Sequence, residues 1–280
     1  MSAKEKISIT NSGMGHSVSK GVEIHRTAVI HKRASLGEGV KVGPYTIIGE
    51  KVQVGRNTRI HAHVMIEGHT EIGENCQIFN GTVIGTPPQS LKYQGEDTRV
   101  VIGDNNIIRE YVTINKGTTA TGETRIGNNC MLMAYVHIAH DCVLGNDVFL
   151  ANVATLGGHV VVEDKAIIGG LTPVHQFVRI GTLAIVGGGS RTAKDVPPYC
   201  KAAGVPIRMY GLNSVGLSRN NFPPLVKEQL KMVYKTVFRS NLNTSQALEV
   251  LSKKSDFCDE AKHFINFVRE SERGICKEYE

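Results

Sequence analysis

Aliphatic residues recur at every sixth position over most of this chain. The series begins Ile24, Ile30, Leu36, Val42, Ile48, Val54, Ile60, Ile66, Ile72, Ile78, Ile84. A small or β-branched residue follows four positions after each, as at Ala28, Ala34, Val40, Thr46 and Val52. A sustained period of six is neither the 3.6 of an amphipathic helix nor the alternation of a lone strand. It is the mark of a solenoid, in which each repeat buries its apolar face only against its neighbours. The physical solution is a parallel β-helix. Each hexad makes one short flat side and a corner, the aliphatic points inward, and three hexads close one coil. Coils then stack at the usual strand spacing of roughly 4.8 Å. Glycines after the aliphatic, such as Gly37, Gly43, Gly49, Gly55, Gly73 and Gly85, are read as tolerating unusual dihedrals at corners. A chain with no Trp and 30 Gly suits such a fold better than an aromatic-rich core.

The repeat is interrupted twice, at about 86–101 and 118–125, and its register resumes after each break. It then runs from Ile126 through Leu132, Ile138, Leu144, Leu150, Leu156, Val162, Ile168, Val174 and Ile180 to Val186. Loops inserted in a solenoid gather on one face and often carry binding residues. Three segments follow from these limits: a flexible extension over 1–22, a β-helix over 23–194, and an α-helical C-terminal domain over 195–280. In the last, Leu225, Leu230, Val233, Val237 and Phe238 fall on one helical face, and further helices are expected over 244–253 and 258–271. This part is suited to capping the open end of the solenoid, where unpaired backbone invites aggregation.

Composition removes several classes of function. The formal charge is +6, with no dense Lys/Arg run and no aromatic-interleaved basic patch, which disfavours nucleic acid. A mild positive excess fits acidic small ligands or an acidic protein partner. The six cysteines are scattered, and Cys76, Cys130 and Cys142 share one small-residue position of the repeat, so they are read as reduced packing residues. No apolar run reaches the length of a membrane span, and a cytoplasmic protein without stable membrane insertion is expected.

The repeat stops being bland at Tyr135-Val-His-Ile-Ala-His-Asp-Cys142. Counting hexads from Ile126, those starting at Ile138, Leu156 and Val174 occupy the same side in three successive coils. His140, His159 and His175 lie in these hexads, and His137 is placed at the corner before the first. Ile84 and Ile114 begin hexads on that same side, so both loops are expected to leave from the edge that carries the histidines. His25, His31, His61, His63 and His69 are read as ordinary solvated or hydrogen-bonded groups.

Three kinds of chemistry fit such a cluster. Acyl transfer to a hydroxyl needs a base and a donor for the oxyanion. His140 with Asp141 supplies the base and a carboxylate to orient it, provided the two adjacent side chains reach the same face. The Gly157-Gly158 pair is equally consistent with an exposed backbone N–H and with corner geometry. A zinc site built from imidazoles of neighbouring coils is the second possibility, as in a trimeric β-helix carbonic anhydrase. The third is a binding solenoid without catalysis.

The hexads, loop and histidine motifs together resemble the acyl-carrier-protein-dependent UDP-N-acetylglucosamine acyltransferases, which start lipid A biosynthesis. The motifs that carry the resemblance are Gln89-Ser-Leu-Lys-Tyr-Gln-Gly-Glu96, Ile102-Gly-Asp104, Ile108-Arg-Glu110, His137-Ile-Ala-His-Asp-Cys142, Leu156-Gly-Gly-His159, Val174-His-Gln-Phe177, Asp195-Val-Pro-Pro-Tyr199 and Phe238-Arg-Ser240. The resemblance implies a left-handed β-helix, a homotrimer with active sites between subunits, and no metal or redox cofactor. It implies transfer of an (R)-3-hydroxyacyl group from acyl-carrier protein to the 3-position of UDP-N-acetylglucosamine. It assigns His140 as general base assisted by Asp141, and the Gly158 N–H to the thioester oxyanion. It places Lys92, Gln89, His137, His159, His175, Gln176, Asn213 and Arg219 around the substrates, and Gly188 where acyl length is gated. An absent side chain at Gly188 implies an open groove and a longer chain. The sequence departs from the family pattern at Ser90, Asn115 and Asn220, where Asp, His and Arg are usual.

Overall fold

The computed structural model describes residues 20–277. The expected flexible extension therefore lies, for residues 1–19, outside the described residues. From Glu23 the chain winds as a three-sided parallel β-helix. Its first sheet runs from Glu23–Ile24 to Ile185–Val186, its second from Val29–Ile30 to Pro173–Val174, and its third from Ser35–Leu36 to Arg179–Ile180. Successive strands within a sheet belong to successive coils, with registers such as Glu23↔Lys41 and His137↔Thr155.

The period of six follows from this geometry. Ile48, Ile66, Ile84, Ile114, Ile138 and Leu156 form one fully buried column of the second sheet. The small residues four positions on, such as Val40, Thr46, Val52 and Thr58, are also buried. Thr46 and Thr58 enter the core because their hydroxyls donate to backbone carbonyls of His61 and Gly73 at 2.7 and 2.9 Å. Cys76, Cys130 and Cys142 pack inside as expected. Burial pushes the Cys130 thiol up to about 11 and the Cys142 thiol up to about 12, so neither is a reactive thiolate.

Most of the glycines do a different job from the one expected. Gly37, Gly43, Gly49, Gly55 and Gly73 have no left-handed backbone; of that set only Gly85 does, at φ +85°. A Cβ on Gly43 would lie 2.7 Å from the His61 carbonyl carbon, and one on Gly55 2.5 Å from that of Gly73. They are glycines because the next coil passes too close for a side chain. The left-handed residue of each corner is usually not glycine. Asn57, Asn75, Asn105 and Asn129 fill it at one corner, and Asp141, His159 and Phe177 at another.

The two interruptions are shorter than the sequence suggests. Strands Val83–Thr86 and Arg99–Ile102 bound the first loop at 87–98, and Thr113–Asn115 and Glu123–Ile126 bound the second at 116–122. Arg99, Val100 and Val101 break the apolar period but pair on both sides, with His69, Thr70 and Glu71 and with Glu123, Thr124 and Arg125.

The C-terminal part is not helical from 195 onward. Cys200–Ala203 adds a parallel strand to the first sheet, and Arg208–Leu212 pairs with it antiparallel. Four helices follow: α1 (Ser214–Arg219), α2 (Pro224–Phe238), α3 (Thr244–Ser252) and α4 (Asp259–Arg269). Helix α1 has no apolar period long enough to be read. In α2 the buried face is Val226, Leu230, Val233, Tyr234 and Val237, whereas Leu225, expected inside, is exposed.

Helix α4 is locked to the shaft by His263, whose Nε2 lies 2.7 Å from Glu163 Oε2. Glu163 also accepts from the Thr182 amide and hydroxyl at 2.8 and 2.9 Å. The Glu163 hydrogen bond raises the His263 pKa, with burial opposing it. A raised folded-state pKa means the contact stabilises fully below the ordinary imidazole value of about 6.5 and fades as pH rises through the folded value. The Tm gap between wild type and His263→Gln is expected to be largest below about pH 6.5 and to narrow at higher pH. A gap independent of pH would remove this contact as the cause.

Candidate active site

Both loops leave the shaft at the corner that follows the second sheet, the same corner that carries His140, Asp141, Gly158 and His159. His140 Nδ1 lies 2.6 Å from Asp141 Oδ2. Neighbouring residues on a strand point to opposite faces. Here Asp141 turns left-handed at φ 60°, breaking the alternation so that its carboxylate comes back to its own neighbour. The Asp141 side chain is fully buried, and that of His140 is 18 % exposed.

The second loop completes the carboxylate's surroundings. The Thr118 N–H donates to Oδ1 at 2.9 Å, the Thr118 hydroxyl to Oδ2 at 2.7 Å, and the Thr121 hydroxyl to Oδ1. Sequence reasoning missed Thr118 and Thr121. Their only signal was the Thr- and Gly-rich composition of the loop, and nothing in it says which corner the loop folds over. Burial by itself would push the Asp141 carboxyl up, but hydrogen bonds from Thr121, His140 and Thr118 outweigh it and hold it at about 2. When Nδ1–H donates to Asp141, the neutral His140 ring has Nε2 as its acceptor atom.

A depressed carboxyl pKa gives stability that is fully present above the unfolded value, about 4, and is lost as pH falls toward the folded one. For this buried group the shift corresponds to about 2 kcal/mol. The stability gap between wild type and Asp141→Asn is therefore expected to narrow as pH falls from about 4 to about 2. Denaturant melts across that range check it, and a constant gap would contradict it.

Gly158 lies directly against the base. A Cβ there would sit 2.6 Å from His140 Cε1 and 2.8 Å from Nε2. The Gly158 N–H donates to no group among the described residues, so the corner presents a free donor beside Nε2. His159 packs edge-on against His140 with ring centroids 5.2 Å apart, and stacks flat on Phe177 at 4.5 Å. Burial lowers the His159 pKa, opposed by Asp141 and reinforced by His140.

The remaining expected residues are more dispersed. His137 is on the flat strand rather than at a corner, because the residue before each inward aliphatic shares its strand. Its Nδ1 is 2.7 Å from Thr113 Oγ1, and burial lowers its pKa. His175 is exposed one coil beyond His159, facing the Gln176 carbonyl at 3.1 Å, and Gln176 is exposed beside it. Gln89 and Lys92 are exposed on the first loop around a turn in which Tyr93 N–H donates to the Ser90 carbonyl at 3.2 Å. Asn115 holds the base of that loop, donating to Thr86 Oγ1 at 2.9 Å and the Pro87 carbonyl at 3.1 Å. Gly188 lies at a different corner, the one following the first sheet. Asn213 is buried and caps α1: its Oδ1 accepts from Gly216 N–H and its Nδ2 donates to the Leu183 carbonyl, both at 2.9 Å. Its amide is thus committed within the fold. Arg219 is exposed in the last turn of α1.

His140, Asp141 and His159 also place one ligand atom each within 4.8 Å of one another, close enough for a cation. Their present bonds favour a different use. Asp141 already accepts from His140, Thr118 and Thr121, and a metal on this set would have to displace those donors.

Residues 195–276 match the family described as "Udp N-acetylglucosamine O-acyltransferase; Domain 2", and residues 51–86 and 123–158 match "Bacterial transferase hexapeptide (six repeats)". A relative from Thermodesulfovibrio yellowstonii, named acyl-[acyl-carrier-protein]–UDP-N-acetylglucosamine O-acyltransferase, is 51% identical over 91% of this chain and 99% of its own. One of the same name from Sulfurihydrogenibium is 52% identical over 92% of this chain and 95% of its own. Among solved structures, the UDP-N-acetylglucosamine acyltransferase of Bacteroides fragilis superposes with a TM-score of 0.87 at 42% identity, covering 90% of this chain and 99% of its own. That of Francisella novicida gives 0.88 at 38%, covering 91% and 94%.

Proposed function

This chain belongs to the family of acyl-[acyl-carrier-protein]–UDP-N-acetylglucosamine O-acyltransferases, with its left-handed parallel β-helix, and from that footing we propose how its own residues carry out the transfer. The protein is an acyltransferase that takes an (R)-3-hydroxyacyl chain from acyl-carrier protein to the 3-position of UDP-N-acetylglucosamine, the first step of lipid A synthesis. His140 Nε2 removes the proton of the sugar hydroxyl as its oxygen attacks the thioester carbonyl. The tetrahedral oxyanion is held by the Gly158 N–H. Collapse breaks the C–S bond, and the proton held on His140 passes to the leaving thiolate. Asp141 fixes the imidazole tautomer and stabilises the imidazolium while it lasts. The observation that carries this reading is the 2.6 Å contact between His140 Nδ1 and a buried, ionised Asp141, next to an unused N–H.

Gln89, Lys92, His137, His159, His175, Gln176 and Arg219 are proposed to surround the sugar, diphosphate and acyl chain, with Gly188 leaving the acyl groove open. In one chain Gly188 and Arg219 stand away from the corner that carries most of the others, which a site shared between copies reconciles. A homotrimer is supported by the outer face of the second sheet, where Val29 and Ile47 are exposed, and by the adjoining corner, where Tyr45, Tyr111, Tyr135 and Leu171 are exposed. Exposed apolar side chains gathered on one face and its adjoining corner are characteristic of an interface. None of the described helices is long and apolar enough to cross a membrane, and the free cysteines suit the cytoplasm.

One experiment tests the activity: incubation of purified protein with UDP-N-acetylglucosamine and carriers of several acyl lengths, read by mass spectrometry. A 3-O-acyl product formed by protein free of bound metal is expected. Dependence on about one tightly bound zinc per chain would favour the carbonic anhydrase-like alternative. Sedimentation of the same sample is expected to give the mass of three chains.

A further inference from the structure

The two oxygens of the Asp141 carboxylate are used differently. Oδ2 faces both His140 Nδ1, at 2.6 Å, and the Thr118 hydroxyl, at 2.7 Å. Oδ1 accepts from the Thr118 N–H at 2.9 Å and from the Thr121 hydroxyl. An ionised carboxylate only accepts, so the Thr118 hydroxyl proton points at Oδ2, while the hydroxyl oxygen accepts the Ala120 N–H at 3.2 Å. The Thr121 hydroxyl also lies 2.9 Å from the Glu123 carbonyl, but its one proton goes to the charged acceptor. Three further titratable groups bear on this carboxylate or flank the loop. His159 Nε2, from the next coil, is 3.6 Å from Oδ2. Lys116 is turned to the Glu96 carbonyl and the Tyr93 ring, and Glu123 to Arg99 and Arg125. Cys142, behind the corner, stays neutral because burial pushes its thiol up to about 12.

We propose that Thr118 and Thr121 are positioning residues for the transfer: through Asp141, their loop aims the base and limits how firmly it holds the proton. The proposal rests on the reading of His140 as that base. Aim comes from Oδ1, which the Thr118 N–H and the Thr121 hydroxyl tie down, so that the carboxylate cannot turn and Oδ2 stays on Nδ1. Restraint comes from Oδ2. Charge that the Thr118 hydroxyl draws from this oxygen is charge the imidazolium does not receive, and less of it means a weaker hold on the proton. A base works best when its proton affinity suits the operating pH, and His140 must both take a proton from the sugar hydroxyl and give it to the leaving thiolate. The chemistry of the donors fits this use. All three are neutral, so they hold the anion without replacing the imidazolium as its charged partner. The loop also leaves the Asp141 side chain with no exposed surface, which keeps water from the bonds that set the ring.

The test is the pH profile of the transfer reaction in Thr118→Val, Thr118→Ser and Thr118→Val/Thr121→Val, each checked for folding by a thermal melt. Valine keeps the shape of threonine and removes the hydroxyl. In Thr118→Val the acid limb of kcat/KM is expected to move to higher pH by about half a unit or more, because Oδ2 now gives all its charge to the imidazolium. Thr118→Ser restores the hydroxyl and should restore the wild-type limb. The double variant also loses the Oδ1 hydroxyl and is expected to drop about ten-fold in plateau kcat, with little change in KM for either substrate. Thr119→Val, at an exposed neighbour in the same loop, should leave the profile as it is. A folded Thr118→Val with an unmoved or lowered acid limb, or a serine variant that behaves like the valine one, would overturn the proposal. So would a loss in the double variant that falls on KM alone. His140→Ala, run in parallel, tells the two failures apart. If the base reading fails, that variant keeps its turnover and the role of the loop falls with it. If only the loop's role fails, His140→Ala is slow and the threonine variants follow the wild-type profile.

Discussion

His140→Ala is expected to lower kcat by about 10²–10⁴-fold, the usual contribution of a positioned general base. KM for UDP-N-acetylglucosamine should move much less, because the base acts on a proton that transfers only in the transition state. The fold should tolerate the change, since the His140 ring is partly exposed and its one strong bond is to Asp141. Removing the imidazole leaves the buried Asp141 carboxylate with its Thr118 and Thr121 donors, so the carboxylate is not orphaned. The check is steady-state kinetics beside a thermal melt. Near-wild-type turnover in a folded variant would take His140 out of the role.

Gly158→Ala is the second large effect and separates position from identity, because it leaves every ionisable group in place. The added methyl would meet the His140 ring at 2.6–2.8 Å, closer than real Cβ contacts allow. The ring has little room to yield: Asp141 holds Nδ1, and His159, itself stacked on Phe177, packs against it. Nε2 is then displaced by a sizeable fraction of an ångström, and a misplacement of that order costs about 10²-fold in rate. The same methyl crowds the N–H proposed for the oxyanion, which adds to the loss. Turnover within about two-fold of wild type would show that neither the ring position nor the access to that N–H matters. The Asp141→Asn acid series and this variant report on different things, orientation of the base against its exact place.

The coil, its inward columns and the corner at which both loops emerge were legible in the residues alone. Every hexad makes one side whatever its other residues are, so counting sixes is counting coils. That logic places His140, His159 and both loops at one corner. It misplaced His137 because the count starts each hexad at the aliphatic, whereas the strand starts one residue earlier. It overran the loops at Arg99–Val101 because strand pairing there is held by the backbone and needs no apolar outer face. It misjudged the glycines because closeness to the next coil is a contact between residues 18 or more positions apart, as between Gly55 and Gly73, and leaves no local trace.

Periodicity is a local property that the burial of every sixth side chain enforces, so the solenoid, its length and its chemically unusual corner could be read from the linear chain. Whether Asp141 reaches His140 could not, because that depends on one left-handed residue at a corner. The closure of the carboxylate by Thr118 and Thr121 depends on the path of a loop 20 or more positions away. The same holds for Asn213, which reads as a ligand contact in the motif and is spent on a helix cap and the Leu183 carbonyl in the fold. Side chains meet according to backbone sign and loop path, and those are settled only when distant segments pack together.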